Sequence, residues 1–190
     1  MTGRLRGAGV VGLGVVSICC SAGAALAAGR ISASATINGG PSACNFTVFV
    51  AATSPGPIDG KAPGAVYTTG ACGPAVDVSA GLFDVKIVNT TLWDQPEKWS
   101  RAIRVTNGVT KALSFSFEAG MMNLNFTCTP CRAEVHRAGE AASLSSQCGT
   151  GSRQLSTGTY DVRFQLGPDL EVWKRGIVIT RGRTLAVKPF

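Results

Sequence analysis

The 190-residue chain has little charge, few aromatic side chains and a single histidine, and each shortage excludes a class of protein. Charged residues make up 15% and aromatic residues 7% of the sequence, whereas globular chains are usually about a quarter charged. So little charge excludes a disordered charged tail or a basic nucleic-acid arm as the main feature. No stretch of useful length shows the 3.6-residue periodicity of an amphipathic helix.

A long uncharged stretch does occur at the N-terminus. Arg4 and Arg6 precede an uncharged run over residues 8–20, and Ala25-Leu26-Ala27 follows that run. A positive end, an apolar stretch and a small-residue cleavage site, in this order, are typical of a secretory signal peptide. We therefore expect residues 1–27 to be removed and the mature protein to be periplasmic or extracellular.

Removal of this leader changes the charge and the cysteine count. The mature chain keeps sixteen basic and eleven acidic residues, a net charge of +5. Five cysteines remain, and in the oxidising export compartment cysteines usually pair. An odd number leaves at least one thiol free or bonded outside the chain. The five are Cys44, Cys72, Cys128, Cys131 and Cys148.

The mature sequence contains two copies of one pattern. Gly81-Leu82-Phe83-Asp84-Val85 is matched 77 residues later by Gly158-Thr159-Tyr160-Asp161-Val162, and Trp99 is matched 74 residues later by Trp173. We predict two homologous domains, over residues 29–119 and 120–190. The paired tryptophans are predicted to cap one end of each domain.

Both copies have the patterning of β-strands. Apolar and polar residues alternate over residues 83–87 and again over 160–164, which suits half-buried strands. Asn107-Gly108 is a strong two-residue hairpin signal. The predicted fold class is all-β, with two tandem small antiparallel β-sandwich domains of Ig-like or prealbumin-like type after a signal peptide.

The second copy resembles a PEGA domain, and the resemblance is clearest over residues 123–190. The family pattern is matched, in chain order, by three segments: Thr129-Pro130-Cys131-Arg132-Ala133-Glu134-Val135, Gly158-Thr159-Tyr160-Asp161-Val162 and Val172-Trp173-Lys174-Arg175. Arg132 stands where the family has a glycine. The resemblance implies a prealbumin-like, carboxypeptidase-regulatory-like β-sandwich. It also implies a binding or spacer unit without catalysis on an exported bacterial protein.

The repeat predicts two disulfides, Cys44–Cys72 and Cys131–Cys148. Cys44 and Cys131 each open a strand early in their copy, while Cys72 and Cys148 lie nine and ten residues before the matched glycines. Cys128 would then be a free thiol or the link of a disulfide-bonded homodimer. Two further pairings remain open, namely Cys128 with Cys148 and Cys128 with Cys131.

Cys128 and Cys131 also have the C-x-x-C spacing of thiol oxidoreductases. With His136, Met121 and Met122 they would offer soft ligands to copper(I). However, the flanking residues predict strand and turn rather than the helix N-terminus that lowers a thiol pKa, and the second cluster of a structural zinc site is missing from the sequence. No cofactor and no metal are predicted, and thiol-redox or metal binding is the alternative function.

Two other side chains are candidates for a functional site. His136 alternates with Val135 and is predicted to face solvent. No Gly-x-Ser-x-Gly motif accompanies it, so neither a catalytic residue nor an enzyme is predicted. Trp93 has no counterpart in the second copy, and we predict that it contacts a ligand from a loop.

The sequence thus predicts an exported, non-enzymatic structural or binding module of the cell envelope. Its predicted partner is a protein or a surface polysaccharide, not nucleic acid, and the mature chain is not predicted to span a membrane. The alternative is a periplasmic thiol-redox or metal-binding protein that uses Cys128 and Cys131.

Overall fold

The computed structural model describes residues 28–127 and 131–190 of the chain. The predicted leader, residues 1–27, and Cys128 lie outside the described residues. All regular elements within the two ranges are strands, so the prediction of an all-β fold is confirmed. Neither range contains a helix that is long and apolar enough to cross a membrane.

The first half of the structure forms two four-stranded sheets. The strands are β1 (Gly29–Ile37), β2 (Gly40–Ser42), β3 (Cys44–Val50), β4 (Val66–Ala71), β5 (Val76–Val78), β6 (Gly81–Asn89), β7 (Glu97–Val105) and β8 (Thr110–Phe117). One sheet has the order β4-β3-β6-β7, and the other has the order β2-β1-β5 with β8 also paired to β1. The pair β1–β8 is parallel and the remaining pairs are antiparallel.

The second half repeats this arrangement with one strand fewer. Its strands are β9 (Ala119–Leu124), β10 (Arg132–Arg137), β11 (Ser143–Gln147), β12 (Gly151–Ser156), β13 (Gly158–Gln165), β14 (Glu171–Ile179) and β15 (Thr184–Val187). The sheets have the orders β11-β10-β13-β14 and β12-β9-β15. Here too the first and last strands, β9 and β15, pair in parallel. Each half therefore adds one parallel pair to strands that are otherwise antiparallel, as predicted.

Each half buries its own hydrophobic side chains. The alternation of β1 and β3 sends every second residue inward, and one cluster includes Ile31, Phe46 and Phe83. A separate cluster in the second half includes Tyr160 and Phe164. Full burial of a large apolar side chain contributes about 1.5–3 kcal/mol, so the alternation predicted from the sequence stabilises both sheet pairs.

Two glycines at equivalent positions bring the first strand of each half against its last hairpin. A Cβ atom on Gly29 would collide with Val105 and the Thr106 carbonyl, and one on Gly120 would collide with the Thr180 carbonyl. The backbone bonds match as well, because Gly108 N donates to Ala28 O and Gly182 N donates to Ala119 O. The arrangement of the first strand against the last hairpin, which begins at Ala28, therefore begins again at Ala119.

Candidate functional site

The loop between β6 and β7 inserts a buried carboxylate into the second half of the molecule. The Asp94 side chain has no accessible surface. It accepts hydrogen bonds from the Ser156 backbone N–H (3.0 Å), the Tyr160 hydroxyl (2.9 Å) and the Arg137 guanidinium (3.0 Å). The Ser156 hydroxyl donates a further hydrogen bond to it. We call these four residues the Asp94 junction.

The Asp94 junction satisfies a group that would otherwise be costly to bury. An isolated carboxylate out of water is strongly destabilising, whereas a paired and hydrogen-bonded one is tolerated. Burial, with the neighbouring Asp94 charge, raises the pKa of Tyr160 to about 12, so its hydroxyl remains a neutral donor at physiological pH. Separation of the two halves would break these four hydrogen bonds to Asp94, so the junction holds the loop against the second half.

Trp93 adjoins this junction and makes its contacts within the chain. Its backbone N–H donates to Gln154 O at 3.0 Å, and its half-buried ring packs against the second hydrophobic cluster. The Arg153 guanidinium lies 4.5 Å from the ring centroid. The sequence predicts a ligand contact at Trp93. Such a ligand would meet a ring that already stacks with the Arg153 guanidinium.

A second polar contact ties the halves together near the linker. Asn38, in the turn after β1, adopts a φ of 52°. Its side-chain amide donates to Ala119 O at 2.9 Å, and its side-chain oxygen accepts from Ala119 N at 3.0 Å. Thr157 N also donates to Glu118 O at 2.9 Å. The first strand of the second half is therefore fixed to a turn of the first half.

On the outer face of each four-stranded sheet, a tryptophan is surrounded by a glutamate, an arginine and a second ring. In the first half, the Trp99 indole N–H donates to Glu97 at 3.4 Å, and Arg101 stacks 3.7 Å from the Trp99 ring centroid. Phe49 lies beside it, with ring centroids 5.3 Å apart. The tryptophan is 37% exposed and lies on the sheet surface, so the prediction that it caps the end of the sandwich was wrong.

The second half has the equivalent group around Trp173. Its indole N–H donates to Glu171 at 2.5 Å, and Arg175 lies 5.2 Å from its ring centroid. His136 takes the place of Phe49, again with ring centroids 5.3 Å apart. Trp173 also lies on the sheet surface rather than at the end predicted for it.

The paired aspartates of the repeat set the backbone next to each tryptophan. Asp84 accepts from Ala102 N at 2.8 Å and Asp161 accepts from Gly176 N at 2.9 Å, and both donors have positive φ, 53° and 69°. The Gly176 and Gly139 amides hold the pKa of Asp161 below its usual range. Both donors lie in strands where the register shifts, next to the arginine that lies over the ring.

His136 is buried, which corrects the prediction that it faces solvent. The side chain lies on the outer face of the sheet, out of phase with the buried Val135 as expected, but Trp173 covers it and the residue is 4% exposed. Neither ring nitrogen has a hydrogen-bond partner among the described residues, and Nε2 lies 3.7 Å from a Glu134 oxygen. The residues described include no group of three His, Cys, Asp or Glu side chains suited to a metal ion.

One of the two predicted disulfides is confirmed and the other is wrong. Cys44 and Cys72 are bonded, with Cα atoms 5.3 Å apart. Cys131 is disulfide-bonded, but Cys148, alone among the described cysteines, carries a free and exposed thiol. The predicted pair Cys131–Cys148 is therefore not formed, and Cys128 lies outside the described residues.

The register of the strands explains this difference. In the first half Asn45 pairs with Ala71, so Cys44 meets Cys72 at the next position. In the second half Ala133 pairs with Gln147, and the continued register places Cys148 opposite residue 132. A one-residue offset turns a side chain to the other face of the sheet. The spacing of nine residues in one copy and ten in the other was the sequence signal of this offset.

Comparison with known proteins adds little to this geometry. No family model and no curated protein sequence matches the chain. The Bacillus anthracis TIE protein is similar over 85% of this chain, with 10% identity and a TM-score of 0.31, and the chain spans 33% of its length. A Bacteroides ovatus ATCC 8483 protein with a provisional cell-adhesion description is similar over 85% of this chain and 92% of its own, again with 10% identity and a TM-score of 0.31. A TM-score this low transfers neither fold nor function.

Proposed function

We propose that the chain is an exported, non-enzymatic module of the cell envelope, built from two β-sandwich domains over residues 29–119 and 120–190. In this proposal the domains hold a binding surface for an envelope protein or polysaccharide in a fixed orientation. The observation that carries the proposal is the Asp94 junction. The Cys44–Cys72 disulfide supports export, because such bonds persist in oxidising compartments.

The polar contacts between the halves favour a rigid pair over two tethered units. Domains in one chain usually move relative to one another unless their interface is large and apolar. Here a carboxylate with no accessible surface has four hydrogen bonds from the other half, and Thr157 N of the second half donates one more to Glu118 O of the first. Fixed orientation is what a spacer or presenting module needs, and the resemblance to PEGA domains implies a binding or spacer unit.

Export and binding are tested in the native host with the full chain. Photo-crosslinking on intact cells, followed by purification of the chain, is expected to recover a product cut near Ala28 and linked to an envelope protein or polysaccharide. The variant Asp94→Ala should be exported but cross-link less. Recovery of an uncut chain from the cytoplasm, or the same cross-linking yield from the variant, would contradict the proposal.

A second candidate, a thiol-redox protein, has one specific observation in its favour. The disulfide-bonded Cys131 and the free thiol of Cys148 line one pocket of about 490 Å³, together with Arg132. A nearby cation favours the reactive thiolate form of cysteine. Here Arg132 also pairs with Glu134, which offsets part of that effect.

Glutathione redox buffers distinguish the two candidates. If the chain is a redox protein, glutathione should reduce the Cys131 disulfide under conditions in which Cys44–Cys72 stays oxidised. Cys148→Ser should then slow the exchange. Alkylation and peptide mapping at each buffer composition report both bonds separately. If both disulfides resist reduction equally, and Cys148→Ser changes nothing, the thiol-redox candidate is excluded.

A further inference from the structure

One long side of the second half is open where its two sheets end. β14 forms the edge of one sheet, and β15 forms the edge of the other. Between them lies a cleft of about 480 Å³. Val178 on β14 is 57% exposed and Leu185 on β15 is 39% exposed, and both line the cleft.

The corresponding side of the first half is protected. The strand pairings place Arg104 on β7 where the second half has Val178, since Arg104 pairs with Leu82 as Val178 pairs with Thr159. By the same comparison of β8 with β15, Lys111 corresponds to Leu185. Both charged residues are exposed. Charged side chains on edge strands are the usual means of preventing further strand pairing.

A side-chain bridge also closes the first half at this side. The Lys98 ammonium, on β7, donates a hydrogen bond to the Ser116 carbonyl on β8 and lies over the Phe117 ring. Lys98 on β7 pairs with Ile87, and the equivalent residue on β14 is Val172, which pairs with Phe164. The second half therefore has an apolar residue in place of the bridging lysine.

The charge around the open cleft has one sign. Lys174, Arg175 and Lys188 line it, and none of its lining residues is an aspartate or glutamate. Within the described ranges no carboxylate lies close enough to form an ion pair with Lys174 or Lys188. The cleft therefore offers apolar side chains, strand-edge backbone groups and unpaired positive charge together.

We propose that this cleft binds an extended acidic segment of a partner protein, which adds as a strand to the edge of β15. Strand addition supplies backbone hydrogen bonds, and every second side chain of the segment enters the cleft. Apolar residues of the segment would lie against Val178 and Leu185, and its carboxylates would face Lys174 and Lys188. This inference rests on the proposed function as a binding module and names the class of its partner.

The test is a selection from a displayed library of random peptides, each about ten residues long, the length of a long strand. The purified full-length mature protein is the target. We expect enriched sequences that alternate apolar and acidic residues, and hydrogen exchange should slow at the amides of β15 when such a peptide binds. Because it uses purified protein, the selection can succeed or fail independently of export.

The variants place negative charge where the acidic segment would lie. Val178→Asp with Leu185→Asp should weaken peptide binding at least about tenfold, because it removes both apolar contacts and repels the carboxylates of the peptide. Val66→Asp is the matched control, since Val66 is 49% exposed on β4 in the first half, and it should bind as the wild type does. Equal binding by the double variant, or enriched peptides without an acidic excess, would overturn the proposal. So would a dimer, seen by analytical ultracentrifugation, that the double variant dissociates, since the occupant would then be a second copy.

Discussion

The two halves share a skeleton and differ in the chemistry of their surfaces. Both have a parallel first and last strand, an aspartate that binds a positive-φ amide, and a tryptophan stacked with an arginine. On the outer face, however, Phe49 of the first half is replaced by His136 of the second. At the edge, Arg104 is replaced by Val178.

This difference separates residues that set the backbone from residues that act on neighbours. Asp84 and Asp161 occupy matching positions because each satisfies an amide in an unusual conformation. The edge positions satisfy no backbone group, so their side chains are free to differ. The second half therefore has an apolar strand edge and a histidine on its outer face. The first half has the charged strand edge and contributes Asp94 to the junction.

Asp94→Ala should cause the largest loss of stability. It removes the acceptor of the Ser156 and Arg137 hydrogen bonds, while the Tyr160 hydroxyl keeps the Ser156 carbonyl as an acceptor. Each lost hydrogen bond to a charged group costs about 1.5–3 kcal/mol. Urea unfolding measures the loss. The control Asp77→Ala removes an exposed ion pair with Arg30 and should hardly move the urea midpoint, because exposed ion pairs add little stability. Equal losses from both variants would contradict a special role for the junction.

Removal of the Cys44–Cys72 disulfide should destabilise the first half. Its loop spans 28 residues, for which the chain-entropy model gives about 3.5 kcal/mol. The double variant Cys44→Ser and Cys72→Ser is compared with Cys148→Ser, which changes an exposed free thiol. Thermal unfolding should shift clearly for the double variant and hardly for Cys148→Ser. A large shift for Cys148→Ser would indicate that this thiol is bonded after all.

Exchanging the residues beside the tryptophans should change stability in opposite directions. His136→Phe replaces a buried imidazole without hydrogen-bond partners by the residue of the first half, and should stabilise the protein by about 1–2 kcal/mol. Phe49→His should destabilise it. Denaturant midpoints of the two single variants measure both effects. A loss of stability in His136→Phe would show that the histidine makes a favourable interaction with Glu134.

Asp161→Asn should have a smaller effect that depends on pH. The pKa of Asp161 is held below its ordinary value of 3.8 by the Gly176 and Gly139 amides, so ionised Asp161 stabilises the folded state above that pH. This contribution disappears as the pH falls through the lowered pKa. Urea midpoints should therefore differ near neutral pH and converge below pH 3.8. A difference that stays constant down to the most acidic condition would contradict the assignment.

Much of the scaffold could be predicted from local sequence, and most of the site could not. Alternation over residues 83–87 and 160–164 indicated strands, and the repeat indicated the Cys44–Cys72 bond. The burial of His136 depends on Trp173, which reaches it from another strand. The Asp94 junction depends on how the two halves pack, and its sequence signal was only that the loop has no counterpart in the second copy.

Residual dipolar couplings of the backbone amides in both halves test the rigid junction most directly. If the Asp94 junction fixes the halves, one alignment tensor will fit the couplings from residues 29–119 and 120–190 in the wild type. In Asp94→Ala the two halves should require tensors of different magnitude or orientation. Two different tensors in the wild type, or one shared tensor in Asp94→Ala, would contradict the claim that this buried carboxylate makes the two halves a single rigid unit.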